Sequence, residues 1–159
     1  MAASIEEAIM DMPKPGPAQE KLKAFIGEWR GKETMHPSPW MPEGGVRDAS
    51  VSNRLALDGM AIIQDYAQMA DGKAAFCGHA VILKAPHGDD YQMHWFDPFS
   101  PSLFDGPFDG KRAVFTSKSP MGWTRATFEF SGASYQFRME GSQDGKTWNA
   151  MMDGEYRKV

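Results

Sequence analysis

Leu22-Lys23-Ala24-Phe25-Ile26-Gly27-Glu28-Trp29-Arg30-Gly31 is the stretch whose reading decides the fold. Leu22, Phe25 and Ile26 recur at i, i+3 and i+4, the stripe of a helix with one buried face, and Gly27 supplies the positive φ at which helices commonly stop. Trp29 then opens a strand, and everything after it reads as strand. Upstream, Pro13-Lys14-Pro15-Gly16-Pro17 breaks the chain, with Pro17 suited to the first position of the helix that carries Leu22 and Phe25. Further upstream, Ser4 and Glu7 have capping-box spacing ahead of Ala8, Ile9 and Met12, which predicts a short amphipathic helix over residues 1–12.

Downstream, the first strand covers about Glu28 to His36, and Pro37 to Gly45 is a Pro/Gly loop holding Trp40 and Met41. The punctuation then becomes regular. Asp58-Gly59, Asp71-Gly72, Asp109-Gly110, Ser131-Gly132 and Asp144-Gly145 each separate β-like runs, and Pro86 to Asp89 adds one more turn. Such pairs are strong hairpin signals because a tight turn needs positive φ. The spacing predicts nine or ten antiparallel strands in up-and-down order. So many sequential hairpins in one small domain leave exposed edges unless the sheet closes, so the expected fold is an all-β antiparallel barrel. Its expected extent is one domain over residues 1–159, with 1–26 as helical cap and linker and 27–159 as barrel.

The turns also set registers, and registers set faces. Asp58-Gly59 places Leu55 opposite Ile62 and Asn53 opposite Gln64. Asp71-Gly72 then places Gln64 opposite His79, Ile62 opposite Val81 and Tyr66 opposite Cys77, and a four-residue Pro86 turn sets Val81 against His94 and His79 against Phe96. One face thus collects Val51, Leu55, Leu57, Met60, Ile62, Tyr66, Cys77, Val81, Leu83 and Phe96, together with Asn53, Gln64, His79, Gln92 and His94. Asp48, Ser50, Ser52, Arg54, Asp65 and Asp97 fall on the other, so the first face is the expected interior. In the second half, Ser131-Gly132 pairs Phe128 with Tyr135, Ala126 with Phe137 and Thr124 with Met139, all inward. Trp148, Ala150, Met152 and Tyr156 continue that set, while Arg125, Glu129, Arg138 and Glu140 point out.

The expected site follows from these faces. Tyr135, Phe137, Met139, Trp148 and Phe96 supply an apolar lining, and Asn53, Gln64, His79 and His94 supply polar contacts. Buried amides and imidazoles cost roughly 1–3 kcal/mol each when unpaired, so they bond each other, water or a ligand. For catalysis, His79 or His94 is the candidate general base, with Tyr66 or Glu33 as its partner. Cys77, His79 and His94 share the expected inner face, but residues two apart on a strand diverge and no second Cys completes a tetrahedron, so no metal is expected. There is no Gly-x-Ser-x-Gly elbow, Walker loop or dinucleotide fingerprint, and no cofactor is expected. On the outer face, Ile63, Ile82, Met93 and Trp95 cluster between polar neighbours, which predicts a homodimer interface.

Composition narrows the partners. The formal charge of −4 offers no basic footprint for nucleic acid or for acidic membrane surfaces. The lone cysteine, Cys77, cannot form an intramolecular disulfide, and no signal sequence or bilayer-length apolar run is present, so the expected location is cytoplasmic. Twelve Met, ten Phe and five Trp outnumber Val, Ile and Leu together. Methionine is flexible and polarizable, and surfaces rich in it suit either irregular packing or adaptable binding.

The Gly-x-Trp at Gly27 to Trp29 resembles the opening motif of the lipocalin and fatty-acid-binding (calycin) barrels. With Pro13 to Pro17, the Trp95 and Asp97 spacing and the final Glu155-Tyr156-Arg157-Lys158, the chain resembles a bacterial calycin-like family catalogued only as a domain of unknown function. The resemblance implies a lipocalin-like barrel with no established ligand, and a basic residue near the last strand, Arg157, packed over Trp29. The expected function is binding or carriage of a small, largely apolar molecule. The alternatives are a cofactor-free isomerase or lyase using the His79/His94 row, and a haem-binding barrel with His79 or His94 as axial ligand.

Overall fold

The computed structural model describes residues 12–39, 41–99 and 101–159. Residues 1–11, which hold nearly all of the helix expected at the N-terminus, and Trp40 lie outside that description. From Gly16 the chain enters α1 (Pro17–Leu22), with Pro17 at the first helical position and Gln19 Oε1 accepting from Gly16 N at 2.9 Å. One 3-10 turn, Lys23–Phe25, follows, and Gly27 at φ 146° releases the chain into the first strand.

Ten strands follow: β1 (Gly27–Met35), β2 (Gly45–Ala56), β3 (Ala61–Ala70), β4 (Lys73–Lys84), β5 (Tyr91–Phe96), β6 (Pro101–Gly106), β7 (Arg112–Ser119), β8 (Gly122–Ser131), β9 (Ser134–Ser142) and β10 (Asn149–Lys158). Each pairs antiparallel with its neighbours in chain order, and β1 closes on β10. The result is the expected closed barrel, in which no strand of the sheet is left as an edge. No helix among the described residues is long and apolar enough to cross a membrane.

The short helix plugs one end. Leu22 and Phe25 are fully buried, and the Phe25 ring meets Phe108, Phe128 and Phe130 edge-on at centroid distances of 5.3, 5.4 and 4.7 Å. The Phe25 carbonyl accepts from Trp29 Nε1 at 3.0 Å and from Asn53 Nδ2 at 2.8 Å, and Tyr91 Oη donates to the Ala18 carbonyl at 2.7 Å. A helix too short to be stable alone is thus fixed by aromatic packing and by side-chain bonds to the Ala18 carbonyl and to the Phe25 carbonyl of the turn that follows it. Lys158 Nζ, not Arg157, lies over the Trp29 ring, at 5.2 Å. Arg157 sits opposite Arg30 on the solvent face, so strand parity passes the expected packing role to its neighbour.

The registers match expectation from β2 to the start of β4 and then part from it. Asn53 pairs with Gln64 and Leu55 with Ile62. The Asp71-Gly72 turn pairs Ala70 with Lys73 and Met69 with Ala74, but Gln68 next pairs with Phe76. Ala75 is therefore an unpaired extra residue, a β-bulge, and beyond it every β4 side chain has changed face. Phe76, Gly78, Ala80 and Ile82 line up inward; Cys77, His79, Val81 and Leu83 face out. The β4–β5 pairing of Val81 with His94 and His79 with Phe96 holds, so β5 inherits the reversal. Tyr91, Met93 and Trp95 point in, and Gln92, His94 and Phe96 point out.

This removes the outward patch expected of Ile63, Ile82, Met93 and Trp95. Ile82 is fully buried and Met93 nearly so, Trp95 lines the interior, and Ile63 alone remains on the wall. Leu57, in the turn at φ 53°, is exposed. A second irregularity lies between Ala150 and Met152. Met152 and Tyr156 point in as expected, whereas Ala150, opposite Glu140, and Trp148 lie outside. The β8–β9 turn falls one position later than expected, pairing Ser131 with Ser134, Phe130 with Tyr135 and Phe128 with Phe137. That is a shift of two in register, which conserves faces, so Tyr135, Phe137 and Met139 stay inward.

The reversal of β4 is open to measurement. Ile82→Ala is expected to lose about 2–5 kcal/mol in urea unfolding, as a buried aliphatic does, whereas His79→Ala and His94→Ala stay within about 1 kcal/mol of the parent. The opposite ranking would mean that Ala75 is not bulged.

Candidate functional site

Between the helix plug and the far rim lies a cavity of about 290 Å³, at the lower end of the range for small-molecule pockets. Its wall is mostly apolar, with Val51, Met93, Phe104, Phe128, Phe137 and Met152 among its members. Toward the rim the aromatic row continues: Tyr66 meets Phe76 at 6.3 Å and Trp95 at 5.8 Å, and the exposed Phe99 stacks on Phe76 at 6.2 Å. The Trp95 indole fits only because residue 78 is glycine, where a Cβ would come within 2.2 Å of the ring. Its Nε1 donates to Asp97 Oδ2 at 2.7 Å, which ties the ring to the rim.

One polar cluster interrupts the apolar wall. Glu33, 1% exposed, projects inward from β1. Tyr66 Oη and Gln68 Nε2 donate to its Oε1, the latter at 3.1 Å, and Tyr156 Oη donates to its Oε2 at 2.5 Å. Tyr156 stacks in turn on Tyr135, with centroids 4.6 Å apart. Its ring lies against Gly31, where a Cβ would stand 2.5 Å from it. Behind the cluster, Arg47 Nη1 donates to Gln68 Oε1 at 3.1 Å, which leaves the Gln68 amino group turned toward Glu33. The carboxylate thus takes its hydrogen bonds from neutral donors, the arrangement a buried acceptor needs.

Gln64 is a further inward polar group. It lines the cavity at 5% exposure, and its amide makes no hydrogen bond to the described residues. Asn53, expected beside it as a ligand contact, instead spends its amino group on the Phe25 carbonyl at the plug and does not line the cavity; its Oδ1 is buried without a partner among the described residues.

Of the other expected site residues, Tyr66, Tyr135, Phe137 and Met139 line the cavity. His79, His94 and Phe96 lie on the outer wall, reversed by the Ala75 bulge. His79 Nδ1 is 2.8 Å from Asp65 Oδ1, His94 Nε2 is 3.2 Å from Gln92 Oε1, and Phe96 is 48% exposed. Trp148 is outside as well, with the Arg125 guanidinium 4.0 Å from its ring centroid, because Met151 is bulged. The two remaining histidines are also elsewhere: His36 bonds Asp153 and His87 sits in the β4–β5 turn. With no imidazole in the cavity lining, neither the His79/His94 acid–base row nor an axial imidazole for haem is available there. Glu33, expected only as an acidic partner of the histidines, Gln68, not expected in the site, and Asp97, expected on the outer face, all line the cavity. Glu33 and Gln68 follow from period two alone, Glu33 from Trp29 through Gly31 and Gln68 from Gln64 through Tyr66, and Asp97 turns inward with Trp95 in the reversal of β5.

The three cavity tyrosines are held protonated. Burial and then the Glu33 carboxylate push the phenols of Tyr66, Tyr135 and Tyr156 well above their ordinary range, and burial raises Tyr91. A phenol whose folded-state value is raised contributes stability that is complete below the unfolded value near 10 and lost as pH climbs above it. Tyrosinate absorbance at 295 nm is therefore expected to rise together with loss of the far-ultraviolet circular dichroism, at alkaline pH beyond 10. Ionisation of several tyrosines near pH 10 with the sheet signal intact would contradict the buried cluster.

No protein-family model matches the chain, and no curated protein matches it. Solved structures do. Rv2717c from M. tuberculosis superposes with a TM-score of 0.68 at 12% identity, covering 91% of this chain and 98% of its own. The S-type phycobiliprotein lyase CPES from Guillardia theta superposes with a TM-score of 0.56 at 10% identity, covering 99% of this chain and 97% of its own. At such identities the likeness is one of fold alone, a closed antiparallel barrel, and the bacterial family suggested by the framework motifs is not established.

Proposed function

We propose that this barrel binds a small, largely apolar molecule in the cavity between the helix plug and the rim. The observation that carries the reading is Gln64: an amide turned to an apolar cavity, with no hydrogen bond to the described residues. Open to the cavity, that amide is free to hydrogen-bond a bound molecule or water. Apolar walls with a few convergent polar groups are the usual form of a small-molecule site. Met93, Met139 and Met152 in the lining allow the wall to adjust to its guest. The phycobiliprotein lyase built on the same barrel supports the idea that this architecture serves small-molecule or protein-modifying tasks; carriage is the reading that needs nothing beyond the cavity.

The test uses N-phenyl-1-naphthylamine, a neutral dye whose emission strengthens in apolar surroundings. Saturable one-to-one enhancement is expected with the wild type. Gln64→Leu is expected to change the affinity, and Phe137→Ala, which enlarges the cavity, to retain binding at a stability cost of about 3–5 kcal/mol. If neither the wild type nor Phe137→Ala binds the dye while the stability loss is seen, the interior is a packed core and the proposal fails.

A further inference from the structure

We infer that the cavity is built for an organic cation, an apolar molecule carrying a protonated amine, with Glu33 as its counter-charge. The inference deepens the container reading above and rests on it. The sign of the cavity is its first support. Glu33 and Asp97 both line it, and none of the lining residues is Lys, Arg or His. A cleft lined by one sign of charge between low-dielectric walls concentrates ions of the other sign. The net charge of the chain, −4, acts in the same direction.

The second support is the unused capacity of Glu33. A carboxylate offers about four acceptor positions. Oε1 takes two donors, Tyr66 and Gln68, whereas Oε2 takes only Tyr156, which leaves Oε2 room for another donor. None of the ion pairs among the described residues includes Glu33. The basic residue of the network, Arg47, bonds Gln68 rather than Glu33 and is absent from the lining. The charge therefore lacks an ionic partner where a ligand would stand.

The third support is the wall. Tyr66, Phe76, Trp95, Phe128, Phe137 and Tyr135 present aromatic rings to the cavity, and ring faces attract cations, most strongly when the cation is desolvated. An ammonium group between these rings and Oε2 exchanges its hydration for ring faces and a charge-assisted hydrogen bond. A carboxylate ligand would instead bring a second negative charge beside Glu33 with no basic side chain in the lining to meet it. Gln64 can donate or accept, so it serves either ligand and leaves the choice of sign to Glu33.

The test displaces the neutral dye with three probes of one ring system at pH 7: 1-naphthylmethylamine, 1-naphthylmethanol and 1-naphthoate. The amine is expected to bind tighter than the acid by about tenfold or more, with the alcohol between. Glu33→Gln is expected to collapse the amine-to-acid ratio toward one while leaving the alcohol's affinity within a few-fold, and Asp97→Asn to lower the ratio partially. An acid that binds as well as the amine overturns this inference alone, since the dye still reports a container. A ratio that survives Glu33→Gln does the same. Should that variant fail to fold, the wild-type ratio decides by itself. If the dye does not bind, the container reading fails and this inference falls with it.

Discussion

Side chains on a strand alternate between faces, so one unpaired residue turns the remainder of a strand inside out. Ala75, with no partner opposite the Gln68–Met69 step, does this to β4, and the unbroken pairing of β4 with β5 passes the reversal on. Ile82, Met93 and Trp95 become interior, and the imidazoles of His79 and His94 go to solvent. The wall that carries the cavity's aromatic rim depends on that insertion. So does the cavity's lack of basic side chains, since without it two histidines would stand where Gly78 and Trp95 now meet.

The interior divides into a sealed half and a receptive half. At the plug, Phe25 supplies both an aromatic ring and a carbonyl, and Trp29 and Asn53 hold that carbonyl in place. Toward the rim, polar groups are gathered around Glu33 and its phenols. The same residue class thus plays two roles in one barrel: Asn53 is consumed by structure, whereas Gln64, its cross-strand partner, keeps its amide for the cavity.

Much of this architecture was legible in the sequence. The helix stripe of Leu22 and Phe25, the stop at Gly27 and the Gly-bearing turns were enough for a plugged, closed barrel, because each is a local signal with a local cause. Faces were legible wherever registers ran unbroken, as for Gln64 on β3 and Tyr135, Phe137 and Met139 on β9. They were lost at Ala75 and Met151, since a bulge leaves no compositional mark in an alternating run. Glu33 was visible as a candidate acid, but its partners were misassigned: it meets the phenols of Tyr66 and Tyr156 and the amide of Gln68 instead of a histidine. The displaced basic residue over Trp29 is a gentler case: the interaction was foreseeable, and parity assigns it to Lys158 instead of Arg157.

Tyr156 reaches Glu33 across 123 positions of chain, through the seam where β10 meets β1. The carboxylate therefore receives one phenol from each side of β1, Tyr156 from the adjacent β10 and Tyr66 from β3, one strand beyond β2. While the seam is open, Oε2 lacks its donor and the cavity lacks the part of its wall that Met152 and Tyr156 supply. The entropy of closing so long a loop grows only with the logarithm of its length, yet contacts this distant slow folding more than local ones do. The site and the finished barrel consequently come into existence in one event. A chain ending before β10 would have no weakened version of the site, because Met152 and Tyr156 of the lining, and one of the three donors to its buried acid, belong to the last strand.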